Sequence, residues 1–389
     1  MLTRIFNIQE YRSYPDGVHT LYAPAYSVGP GLVMTKDYAL LAAFEVVGED
    51  PANMTPGRQN HVAERVQTTL TTNIKGGGWV TYHELIRRPC ASYPDASESH
   101  FPDPITQAID DERRSAFEQK GRHYESVNIL AIRYKPQLLE HPWFKSFLYT
   151  GKQEQTISTL ERDIEQFERA LQSLADSLTG VVKLRRLTEY EHIDPKGNAI
   201  LRDDLLNYLN HAMTCEPYPI NKPTEPKALE EYMGGRDFFP GDILRVGFQH
   251  IAAISLNINQ PVTFPNMLEA LHHIPLPYRF VTEFAKLDQH ESLGAINQRG
   301  KEWEQQEKSA LHQVFKLNSN KQNLHAVNMH MDTQLAAAEA QSGQVEFGYC
   351  TQTLILYGED QQEVLENARY MVQEINRMGL IPFIPSKGG

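Results

Sequence analysis

Apolar positions along this chain recur with two different periods. Over 155–178 they fall three and four apart, at Ile157, Leu160, Ile164, Phe167, Leu171, Leu174 and Leu178, the stripe of an amphipathic helix. The same spacing at Val62, Val66, Thr69 and Leu70 predicts a helix over 58–74, ended by Gly76, Gly77 and Gly78. Val364, Ala368, Met371, Val372 and Ile375 predict another over 360–378. Elsewhere the period is two. Residues 79–88 put Trp79, Thr81, His83 and Leu85 on one strand face and Val80, Tyr82, Glu84 and Ile86 on the other. Residues 127–134 are apolar enough to predict a buried central strand.

Read in order, the pattern repeats. The first half runs strand 39–48, helix 58–74, strand 79–88, an insertion bearing a helix from 105, then strand 127–134, helix 155–178, strand 181–187. The second runs strand 250–258, helix 266–273, strand 278–287, a long polar helical insertion over 289–340, then strand 344–357, helix 360–378, strand 380–384. The expected fold class is therefore α+β: two ferredoxin-like split β-α-β sandwiches, each with a helical insertion. A helix over 199–213 and a linker with four prolines in the eleven residues 216–226 separate them. The expected domains are an irregular arm (1–30), a first sandwich (31–190), the helix and Pro-rich linker (191–240), and a second sandwich (241–389). The arm is rich in Tyr, Pro and Gly. It reads either as a covering segment or as a docking arm whose anchors are Tyr11, Tyr14, Tyr22 and Tyr26. The 155–178 stripe fits packing on the chain's own sheet or a short coiled coil.

Bulk properties narrow the chemistry. A net charge of −12 over 389 residues argues against gripping nucleic-acid phosphates. Cys90, Cys215 and Cys350 are far apart, matching neither a disulfide framework nor a zinc motif. No stretch approaches the roughly 18 apolar residues of a spanning helix, and no signal peptide is visible, so a cytoplasmic location is expected. A phosphate-cradling loop needs G-x-x-x-x-G-K-[ST]. Gly151-Lys152 is followed by Gln153 and has Ser146 at the first glycine position; Gly300-Lys301 is followed by Glu302 and has Ala295 there. His325 and His330 are five apart, which does not put both imidazoles on one helical face. No catalytic, metal or cofactor residue is expected on these grounds.

A set of stretches resembles one family in order and spacing. They are Gln9-Glu10-Tyr11-Arg12 with Pro15, the turn from Gly29 to Asp37, Gly78-Trp79, Arg87-Arg88, and Phe101-Pro-Asp-Pro104. The set continues through Asp110 to Arg114, Phe117-Glu118 and Tyr124-Glu-Ser126, and further on Leu205 to Leu209, Tyr278-Arg279-Phe280 and Lys301-Glu-Trp303. Together they resemble the amino-terminal region of the TrbE / CagE / VirB-type conjugative transfer ATPases of type IV secretion systems. The resemblance implies that this region precedes a RecA-like motor domain holding the Walker motifs, so that ATP and magnesium belong to that motor. It also implies docking on inner-membrane components, contact with the motor, subunit association, and peripheral placement at the inner membrane. The expectation is a scaffold without ATP turnover of its own. Two other readings stay open: an autonomous enzyme with a pocket between the two sandwiches using His83, His123 or His250, and a structural protein organised by a coiled coil at 155–178.

Overall fold

The computed structural model describes residues 17–21, 23–49, 53–90, 93–94, 96–119, 123–136, 153–225, 227–241, 243–257, 267–298, 301, 333–342 and 345–384. After a single helical turn, α1 (Val18–Leu21), come β1 (Pro24–Gly29), β2 (Leu32–Thr35), β3 (Leu40–Val47), α2 (Pro56–Asn73), β4 (Trp79–Pro89), α3 (Pro104–Gln119) and β5 (Tyr124–Tyr134). Next are α4 (Gln153–Leu178), β6 (Lys183–Arg186), β7 (Glu189–Ile193), β8 (Ala199–Asp203) and α5 (Asp204–Thr214). Then follow β9 (Phe238–Phe239), β10 (Leu244–Val246), β11 (Gln249–Asn257) and β12 (Tyr278–Lys286). Helices α6 (289–298) and α7 (333–342) precede β13 (Gly348–Gly358), α8 (Gln361–Arg377) and β14 (Ile381–Phe383).

Twelve of the described strands form one antiparallel sheet in the order β1-β2-β3-β5-β4-β12-β13-β11-β10-β9. β6 shares the outer edge of β3 with β2, and β14 shares that of β11 with β10. The strands before and after the Pro-rich linker therefore belong to one sheet, joined by the β4–β12 ladder. On one face Leu40, Ala42, Phe44, Leu130 and Ile132 pack against Phe167, Leu171, Leu174 and Leu178 of α4. From Ile164 to Leu178 the α4 stripe is thus spent on its own sheet. Farther along the same face, Ile254, Leu256, Leu354 and Leu356 pack against Ala368, Met371 and Ile375 of α8. On the opposite face α5 seats Leu205, Leu206 and Leu209 on Leu41, Ala43, Ile129 and Ala131.

Local chemistry sets these boundaries. Thr55 caps α2 by accepting from the Arg58 N–H, with Pro56 in the first turn. Gly78, at φ +83°, lets β4 begin: a Cβ there would lie 2.4 Å from the Lys135 carbonyl oxygen. Three expected elements differ. Residues 24–29, expected as irregular arm, form β1, which pairs with β2 around Gly31. The helix expected from 199 starts at Asp204, because 199–203 pair with 189–193 and the Asp203 carboxylate caps the helix by accepting from Leu205 N–H. The short helix expected at 266–273 is a 3-10 turn, Glu269–His273. Of the long insertion, 302–332 lies outside the described residues.

Candidate functional site

The sequence alternation puts Glu84 on the same β4 face as Val80, Tyr82 and Ile86, and that face is buried under α5. A lone carboxylate there would be unstable, so it requires a partner. The partner is Arg279 of β12: its Nε donates to Glu84 Oε1, and both side chains are almost fully buried. Tyr208 of α5 donates its hydroxyl to Glu84 Oε2 at 2.6 Å, and the Arg279 Nη1 donates to the His211 carbonyl oxygen at 3.0 Å. Burial alone would weaken the Arg279 charge, but the Glu84 carboxylate more than reverses this and holds its pKa above the ordinary value. Three distant chain segments thus meet at one buried ion pair on the β4–β12 seam.

Two titratable neighbours are silenced by the same burial. Burial, reinforced by the Arg279 charge, pushes the His211 imidazole down to about 4. Burial pushes the Cys215 thiol up to about 11. At neutral pH both are uncharged. The arrangement is a clamp across the seam.

On the other face of the seam lies a cavity of about 530 Å3 between α2 and the sheet. Val66, Leu70, Ile74, Trp79 and Phe284 make its apolar wall, while His83, Lys286 and Glu346 give it a polar side. Lys286 is ion-paired with Glu346. The protein around His83 holds its pKa below the ordinary value, so it is neutral near pH 7. His123 stacks on Phe117 and contacts its carbonyl oxygen, and His250 contacts the Glu359 carbonyl oxygen. The three histidines therefore sit on separate elements, with only His83 at the cavity. Among the described residues no group of three or more His, Cys, Asp or Glu could hold a metal ion.

Of the four tyrosines expected as docking anchors, Tyr11, Tyr14 and Tyr22 lie outside the described residues. Tyr26 is exposed on β1, the first strand of the sheet, and forms an isolated bridge with Ala228. Sequence reading does not find the Glu84–Arg279 pair. The available signal is a carboxylate in an apolar alternation.

Comparison with known proteins places this geometry. The profile of the type IV secretion system ATPase VirB4/TrbE N-terminal domain matches residues 31–140. That of the CagE, TrbE, VirB family, a component of the type IV transporter system, matches 193–386. Sinorhizobium fredii has a probable conjugal transfer protein TrbE in two pieces. The first piece is 31% identical over 129 residues, 33% of this chain and 85% of that protein. The chain belongs to the VirB4/TrbE family. Conjugal transfer protein TrbE of Rhizobium radiobacter is 27% identical over 350 residues, 89% of this chain. The chain spans 42% of the length of that relative. The second Sinorhizobium fredii piece is 25% identical over 214 residues, 55% of this chain and 32% of that protein. Within this TrbE-type chain Glu84 falls in the first matched stretch, and Tyr208, His211 and Arg279 in the second. The buried ion pair therefore joins the two family regions to each other. No helix among the described residues is long and apolar enough to cross a membrane.

Proposed function

We propose that this chain is the non-motor part of a TrbE-type conjugal transfer ATPase. It serves as a mount that docks on inner-membrane components of a type IV secretion system, carries the motor and associates with further copies. The carrying observation is the match along 89% of this chain to 42% of the Rhizobium radiobacter TrbE. Neither Gly-Lys pair of the sequence completes a phosphate loop, which supports placing ATP and magnesium on a motor elsewhere in the protein. The buried seam supports a mount as well, since a clamp between two sheet halves keeps their outer surfaces in fixed relation.

In this reading the sheet is two split β-α-β units set edge to edge. Supporting it, β6-β3-β5-β4 and β14-β11-β13-β12 follow the same order of strands in each half. The test is biochemical. The purified chain should co-purify with inner-membrane components of its own transfer system and show no magnesium-dependent ATP turnover. Turnover by the purified chain that tracks with it through successive columns overturns the assignment.

A further inference from the structure

α5 covers one face of the sheet in its first half. Among the described residues the corresponding face of the second half carries no such helix. Ile254, Leu256, Leu354 and Leu356 point into the α8 core, so their strand neighbours Ile251, Ala253 and Ile355 project the other way. Ser255 stands opposite Phe383, and Asn257 opposite Ile381. Both β14 side chains therefore project onto this open face, 54% and 55% exposed. At the matching place in the first half, β6 presents Lys183 and Arg185, with Arg185 held by Glu45 and Asp204. Charges suit solvent there; Ile381 and Phe383 do not, and clustered exposed apolar side chains mark a contact surface. Pro382 has no N–H to give a further strand, so the contact belongs on the face and not along the edge.

A matching surface stands elsewhere on the chain. α3 has no buried residue. Ile105 and Ile109, one turn apart, are 70% and 47% exposed, and Arg113 follows one turn later. Arg113 makes no ion pair among the described residues, and neither does Glu283. Glu283 lies on the open face, opposite Thr351 of β13. It is three strand spacings from β14, about 14 Å; Ile105 to Arg113 along a helix is about 12 Å. Two apolar side chains followed by a cation thus match, in length and sign, an apolar strand followed by an anion.

The geometry points to a head-to-tail contact between copies, in which α3 of one copy lies on the open face of the next. Ile105 meets Ile381 and Phe383, Ile109 lies over β11 between them and Glu283, and Arg113 meets Glu283. The precedent is internal, since α5 already fills the equivalent face of the first half with an aliphatic stripe. Because different patches meet, the contact is heterologous and propagates into a ring or a filament. It rests on the portion of the functional reading in which copies associate.

Sedimentation velocity of the whole chain over a concentration series tests it. The unmodified chain should associate progressively. Ile105→Asp and Ile381→Asp should each weaken association about tenfold or more, and an equimolar mixture of the two should form a one-to-one dimer. Arg113→Glu should weaken association and Glu283→Arg in the same chain should restore it, a readout that stands even if Ile381→Asp fails to fold. An unmodified chain that stays monomeric at its highest soluble concentration overturns the contact and removes copy association from the reading, leaving membrane-component docking intact. An unmodified chain that associates while neither the mixture nor the charge exchange restores binding overturns the contact alone.

Discussion

Glu84 and Arg279 are stable out of water only as a pair. Replacing Glu84 by Gln leaves the guanidinium buried against a neutral group, with an expected loss of about 3–5 kcal/mol in urea unfolding. Replacing both residues by methionine should recover most of that loss. His211 gives a pH signature. Its folded pKa is about 4 against about 6.5 unfolded, so between those values the unfolded chain binds the extra proton. Stability is therefore fully present above about pH 6.5 and falls as pH drops toward 4, by on the order of 3 kcal/mol. His211→Gln should flatten that portion of the stability profile while leaving the backbone carbonyl contact with Arg279 in place. One half of this site is legible in the sequence. Alternation places Glu84 on the apolar face of its strand, but its partner is 195 residues away, and nothing in periodicity selects one arginine across that separation.

Elements are legible where the period runs long. The stripes of α4 and α8 repeat over several turns, and their residues from Ile164 to Leu178 and from Ala368 to Ile375 pack on the sheet. Short elements are not. β1 is built from a Pro, Tyr, Ser and Gly mixture that reads as turn chemistry, and becomes a strand only through its pairing with β2. The start of α5 escapes the pattern because 199–203 carry Ile200 and Leu201, which fit a helix or a strand equally over so short a run. Gly78 tests how tightly an element boundary is fixed. Gly78→Ala combines positive φ with a 2.4 Å approach to the Lys135 carbonyl, and should destabilise the chain by about 2 kcal/mol or more. Asp360→Ala should remove the α8 cap, where the carboxylate accepts from Glu363 N–H at 2.7 Å, at about 1 kcal/mol. Thermal unfolding followed by circular dichroism orders the two.

Across the whole molecule, the β4–β12 ladder makes two pattern repeats into one sheet. Eight residue pairs, from Tyr278 opposite Arg87 to Ala285 opposite Val80, carry the connection, and the buried ion pair lies beneath it. Calorimetry of the chain should therefore give a single cooperative transition and not one for each half. The order of elements predicts strands and helices on both sides of the Pro-rich linker, but the joining of the two sides through one strand from each is not written in either side alone.

That ladder also gives the molecule a mechanical grain. Antiparallel hydrogen bonds run perpendicular to their strands, so tension drawing β4 and β12 past one another along their length loads every rung together. Tension at right angles unzips the rungs one after another. A body of this kind resists hauling in one direction and yields in the other, so the heading of an applied load decides whether it is transmitted or the sheet parts.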